Sequence, residues 1–186
     1  MFEGVDTIVL HNELALHDEL PLSWEPATVR FDTFTLHGMD EANISLLLAC
    51  IAVEEQPLRD KNEELTPLAH ELARLDYKIN LALQLLGRLV SDNKPVEARS
   101  IRFNALGAEW QMPAPQPQVG AQGTLSVRLR GSLPQMLNFA AEITSADGFE
   151  VSARYLHLSE LSAELIQKLA FLRHRKEVAD KRKSRA

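Results

Sequence analysis

Three zones of the chain differ in the period at which apolar residues recur. In the first, through about Gly38, Leu14, Leu16, Leu20 and Leu22 alternate with His17, Glu19 and Ser23 and lead to Trp24. This period of two predicts a strand interrupted near Pro21. Val29 and Phe31, with Phe34 and Leu36, predict a second short extended piece. In the second zone, Asp40 to about Asn93, the period lengthens to that of a helix. Asp40 serves as an N-cap with Glu41 in the positive first turn, and Ile44, Leu47, Leu48 and Ile51 line one side until Pro57. Thr66-Pro67 opens a second helix, with proline where its missing N–H is harmless. Leu65, Leu68, Leu72, Leu75, Ile79, Ala82, Leu86 and Leu89 then recur at alternating steps of three and four, a heptad seam.

A seam of this kind serves a core-facing helix of a monomer as well as a helix that self-associates. Leu83, Leu85 and Val90 occupy flanking heptad positions, which a two-stranded coil leaves partly wet and a wider bundle buries. The rest of the chain offers few helices to cover them. Self-association beyond a dimer is therefore expected.

From Val96 the period returns to two. Ala98–Phe103, Ala108–Met112, Gly123–Arg130, Leu137–Thr144 and Phe149–Leu156 predict strands, separated by the turn-rich stretches PAPQPQVG, RGSLPQ and SADG. Five or six short antiparallel strands remove their exposed edges by closing into a small barrel. After Leu158 the helical period resumes: Ser159 caps, and Leu161, Leu165, Leu169 and Leu172 form a stripe.

Charge alters this picture at one end only. The chain of 186 residues carries a net charge of -6, which argues against a general nucleic-acid binder. From Arg173 to Ala186 seven Lys/Arg stand against Glu177 and Asp180, so this tail is near +5 and the remainder near -11. Cations there complement a helix C-terminus, and the same tail offers a docking surface for an acidic partner or, less well supported by apolar residues, an anionic ligand or membrane. No uninterrupted apolar run reaches the roughly 18 residues of a membrane span. The N-terminus lacks a signal-peptide layout, so a cytoplasmic protein is expected. The lone cysteine, Cys50, lies in an apolar run and reads as a small buried hydrophobe. Trp24 and Trp110 read as core.

Candidate chemistry is sparse. His11, His17, His37, His70, His157 and His174 show no metal-ligand spacing, and no Cys-x-x-Cys accompanies them. No G-x-S-x-G, G-x-x-x-x-G-K-[ST] or H-E-x-x-H is present. No enzyme, metal or cofactor is therefore expected.

The segments SIRFNALGAEW, VGAQGTLSVRL and FEVSARYLHLSELSAELIQKLAFLRHR resemble, in their order and turns, the PilZ domain. With the heptad segment ELARLDYKINLALQLLGRLV placed before the hairpin, the chain is more specifically similar to the atypical, tetramer-forming PilZ proteins, over roughly Glu41 to Lys176. The resemblance implies an α+β fold: a small antiparallel six-stranded barrel with a C-terminal helix, plus long heptad helices forming an intermolecular bundle. The implied divisions are an N-terminal segment with the first barrel strand (1–38), a helical oligomerisation insert (39–94), the main part of the barrel (95–157), and the C-terminal helix with its basic tail (158–186). Leu68, Leu72, Leu75, Ile79, Ala82, Leu86 and Leu89 would form the seam of a homotetramer.

PilZ domains bind cyclic di-GMP through R-x-x-x-R and a following [D/N]-x-S-x-x-G. A dianionic ring wants forked guanidinium donors and a close turn. Here Gly107 matches the glycine and is expected to supply the turn. Asn104 takes the serine position and Arg102 the Asp/Asn position, while R-x-x-x-R is absent from the chain. Arg99 and Arg102 are three apart on a strand and point to opposite faces. The remnant ligand set is thus Arg99, Arg102, Asn104 and Gly107. The resemblance implies a non-enzymatic protein that acts through protein partners in pathways controlled by cyclic di-GMP, such as motility and virulence, without the usual mode of binding. The alternative is a cyclic di-GMP receptor with a rewired site.

Overall fold

The computed structural model describes residues 7–10, 13–55, 96–129 and 135–183, together with the isolated positions Leu72, Leu75, Lys78 and Ile79. Within the continuously described stretches, seven strands and two helices follow in the order β1 (Thr7–Leu10), β2 (Glu13–Pro26), α1 (Thr33–Glu54), β3 (Ala98–Phe103), β4 (Gly107–Gln111), β5 (Gln122–Val127), β6 (Leu137–Asp147), β7 (Glu150–Tyr155) and α2 (Glu160–Lys183).

One strand closes the barrel. Residues Leu16–Pro21 of β2 pair with β3, and Leu22–Pro26 pair with β5. The remaining antiparallel pairs, β3–β4, β4–β7, β7–β6 and β6–β5, complete a closed circle of six strands, and β1 lies along the first part of β2. Contrary to the expectation of a break, β2 runs through Pro21 without interruption. The missing N–H falls where the strand exchanges neighbours, so no ladder bond is forfeited. The Pro21 carbonyl still accepts from the Arg128 N–H at 2.9 Å, and the Leu22 N–H donates to the Glu97 carbonyl at 3.2 Å.

Alternation decides what the barrel encloses. Leu20, Leu22, Ile101, Phe103, Leu125 and Val127 turn inward with Trp110, whose ring centroid lies 6.0 Å from that of Trp24. Phe139 stacks on Tyr155 at 4.4 Å, and burial holds the Tyr155 phenol well above its usual pKa. Leu46, Leu47 and Ile51 of α1 and Leu165, Ile166 and Leu169 of α2 continue the same core. Cys50 is buried among them as expected, and burial pushes its thiol pKa up.

α1 begins earlier than the sequence pattern predicts. Its N-cap is Asp32, whose carboxylate accepts from the Thr35 N–H at 2.7 Å, so Phe34 and Leu36 belong to the helix and not to an extended piece. The reason lies in the cap: an Asp three residues before a free N–H starts a helix regardless of the apolar residues that follow. Asp40, expected as the cap, instead sits two turns inside and is 4% exposed. Its carboxylate serves the other helix, accepting from the Ser159 N–H at 3.2 Å. Burial alone would raise its pKa, but hydrogen bonds from Ser159 and Ser162, with the charge of His157, hold it below the ordinary value. Ser159 behaves as predicted, its hydroxyl accepting from the Ser162 N–H at 3.1 Å.

α1 is long and apolar enough, by length and composition, to cross a membrane. The buried face of this helix packs on the barrel and α2, fixed by a two-way amide contact. Asn43 donates to the Asn138 carbonyl at 2.8 Å and accepts from its N–H at 2.9 Å. β7 ends opposite Ala141, so Asn43 satisfies an edge of β6 that no strand covers.

Candidate functional site

The hairpin of β3 and β4 carries the four remnant ligand residues. Asn104 is fully buried at its corner. The Asn104 Oδ1 accepts from the Leu106 N–H at 2.8 Å and the Gly107 N–H at 3.3 Å, and its own N–H donates to the Gly107 carbonyl at 3.0 Å. The amide thus closes the turn itself, as Asn side chains do when they substitute for backbone.

Gly107 is required for a reason other than the one expected. Its φ lies outside the left-handed region, which Gly120 and Gly148 do occupy. A Cβ at Gly107 would collide with the Ala153 carbonyl oxygen of β7. The glycine permits close approach of two paired strands, and the turn follows from Asn104.

Arg102 lies outside the barrel, opposite His17 on β2 and Glu109 on β4. Its guanidinium is clamped by the carboxylates of Glu109 and Glu150, the latter at 3.2 Å. Arg99 pairs elsewhere, with Glu97 at 3.0 Å. The structure therefore brings Asn104 and Gly107 together and keeps Arg99 and Arg102 on separate carboxylates. Beside Arg102 is a shallow cleft lined by His17, Ser100, Glu109, Gln111 and Glu150, with His17 Nε2 3.3 Å from Ser100 Oγ. The cleft is open to solvent, and the room in it that water can occupy is about 20 Å³. Glu109 and Glu150 had no motif to mark them. Their register opposite Arg102 is visible only once the strands are paired.

The seam residues tell a different story. Leu72, Leu75 and Ile79 are helical and 52%, 50% and 57% exposed. Leu68, Ala82, Leu86 and Leu89 lie outside the described residues. Among the described residues no cluster of His, Cys, Asp and Glu could hold a metal ion.

A closed six-stranded antiparallel barrel, covered by a helix that follows its last strand, is the PilZ-like arrangement. A family model described as "Atypical PilZ domain, cyclic di-GMP receptor" matches residues 47–183. The chain belongs to this atypical PilZ family. Among solved structures it is similar to a pathogenic protein from Xanthomonas campestris, described as a tetrameric PilZ domain self-assembled via a helical bundle. The two share 20% identity at a TM-score of 0.64, over 91% of this chain and 93% of the other. No curated protein matches significantly.

Proposed function

We propose that this member of the atypical PilZ family is a non-enzymatic adaptor of the cytoplasm, assembled through its heptad segment and acting through protein partners. The reading places it in pathways governed by cyclic di-GMP, including motility and virulence, without ligand binding in the usual mode. The observation that carries it is the state of the hairpin corner. Asn104 spends its acceptor on the turn, and the Arg102 guanidinium is held by two carboxylates. An acidic clamp repels the dianion that a PilZ site must attract.

Self-association draws support from the exposed stripe of Leu72, Leu75 and Ile79, since three large apolar residues on one helix face seek a partner. The tetrameric helical bundle of the Xanthomonas campestris protein supports four chains.

A second reading keeps the chain as a receptor with a rewired site, and the family's description as cyclic di-GMP receptors favours it. Calorimetric titration of the full chain with cyclic di-GMP separates the two. No heat beyond dilution is expected; saturable binding in the micromolar range would establish the receptor and overturn the adaptor.

A further inference from the structure

Two bonds fix how the helices lie. Asp40 meets Ser159 and Glu54 meets Arg173, each across the same separation of 119 residues, so α1 and α2 run side by side in one direction. Their inner faces join the core, and the outer face of α2 carries a pattern of its own. Leu161, Glu164, Lys168, Phe171, Arg175 and Val178 recur at steps of three, four, three, four and three, a row along one side of the helix. The first five are exposed, Leu161 at 48% and Phe171 at 56%, and Val178 is half-buried. Level with Lys168 and Phe171, α1 exposes Ala49 and Ala52, whose small side chains leave the row accessible.

The spacing of the row is the same from either end, and its charges are opposite at the two ends. Among the described residues neither the Glu164 nor the Arg175 side chain has a hydrogen bond or ion pair. We propose that this face of α2 docks antiparallel on α2 of a second copy of this chain. Turned end for end, the row sets Leu161 on the second copy's Val178, Glu164 on its Arg175 and Lys168 on its Phe171, and the two-fold repeats each contact. Lys168 is already held by Glu55 at 2.8 Å, so it lays an apolar stem against the second copy's ring. Parallel pairing would stack Glu164 on Glu164 and Arg175 on Arg175, which like charges oppose. An anionic surface or an acidic partner would meet exposed Glu160 and Glu164 at one end, so neither fits the whole row. The contact lies apart from the heptad stripe and does not rest on assembly through it. The row spans about 26 Å of one helix, a small interface that is weak by itself.

A weak contact is best trapped as a disulfide that its register alone allows. Full-length Glu164→Cys and Arg175→Cys chains, mixed under mild oxidation, should form a reductant-sensitive dimer of the two variants. Either variant alone should form little, because two copies of position 164 would lie about 16 Å apart along the helix. Buried Cys50 stays in place. No cross-link from the mixture, or as much from one variant alone, overturns the contact. The charges supply a second arm. Phe171→Cys, one turn from its own copy in this register, should cross-link by itself. Adding E164R should lower that yield on the order of tenfold, because both symmetric ion pairs become repulsive. The swap E164R/R175E should restore the yield; a swap that fails to do so overturns the antiparallel arrangement. Both arms are repeated in the L75D/I79D chain, where trapping should persist and its loss would overturn the contact as one separate from the heptad stripe. Light scattering on that chain without cysteine substitutions reads the heptad assembly independently, so the failure of one reading is told from the failure of the other.

Discussion

The hairpin corner and the heptad stripe carry the two features that most resemble PilZ proteins, and the chain treats them oppositely. At the corner the partners come from within: Asn104 Oδ1 accepts from the Leu106 and Gly107 N–H groups, and Arg102 pairs with Glu109 and Glu150. Along the stripe, Leu72, Leu75 and Ile79 remain about half exposed. A region whose side chains are engaged with one another has less left with which to recognise a ligand. A region with apolar surface left over has reason to find a partner. On the proposed reading, recognition falls to the stripe and structure to the barrel.

The contrast can be broken most severely at the stripe. Leu75→Asp with Ile79→Asp would bury two charges in any seam and should reduce the assembly to a monomer near 20.8 kDa by light scattering. An intact oligomer would show that these residues do not form the interface. At the corner, Gly107→Ala forces a methyl against the Ala153 carbonyl and should cost about 3 kcal/mol, read as a lowered denaturation midpoint without a change of mass. Asn104→Ala strands two N–H groups and should cost about 2 kcal/mol by denaturant unfolding.

Asp40 sharpens the comparison through pH. Because its folded pKa is depressed, its contribution is complete above the unfolded value and is lost as pH falls through the folded one. Asp40→Asn should therefore cost about 1 kcal/mol near neutrality, and the gap from the parent should close in acid, measured by unfolding across pH. The smallest effect belongs to Arg102→Ala. A partly exposed clamp should change stability by less than about 1 kcal/mol, and cyclic di-GMP titration should stay flat. A titration that changed on removing Arg102 would return the corner to recognition.

Much of the barrel was legible because period-two runs bounded by Gly and Pro survive into strands with nearly their expected limits, as at Ala98–Phe103. The heptad spacing is plain in the sequence, but most of its positions lie outside the described residues. Partner identity was not legible: alternation says which face a residue occupies, never which strand lies beside it. Pro21 therefore read as a break, though the structure places it at a change of neighbour. Asp40 read as a local cap because a carboxylate before a helical run does so more often than it caps a helix over a hundred residues away. Gly107 was recognised for the wrong reason, since close approach to β7 depends on a pairing no local pattern shows. The Glu109–Glu150 clamp was hidden for the same cause.

The exchange of partners along β2 also bears on how the barrel can carry an insert. Leu22 must find Val127, more than a hundred residues later, before the circle shuts. That search passes across everything between α1 and β3, so closure is a non-local step of folding. Its entropy grows only with the logarithm of the intervening length, about 0.6 kcal/mol for each doubling. A barrel already committed to so distant a pairing is little burdened by a longer path. An evolving chain could therefore lengthen the segment after α1 into an assembly arm while the barrel kept its stability.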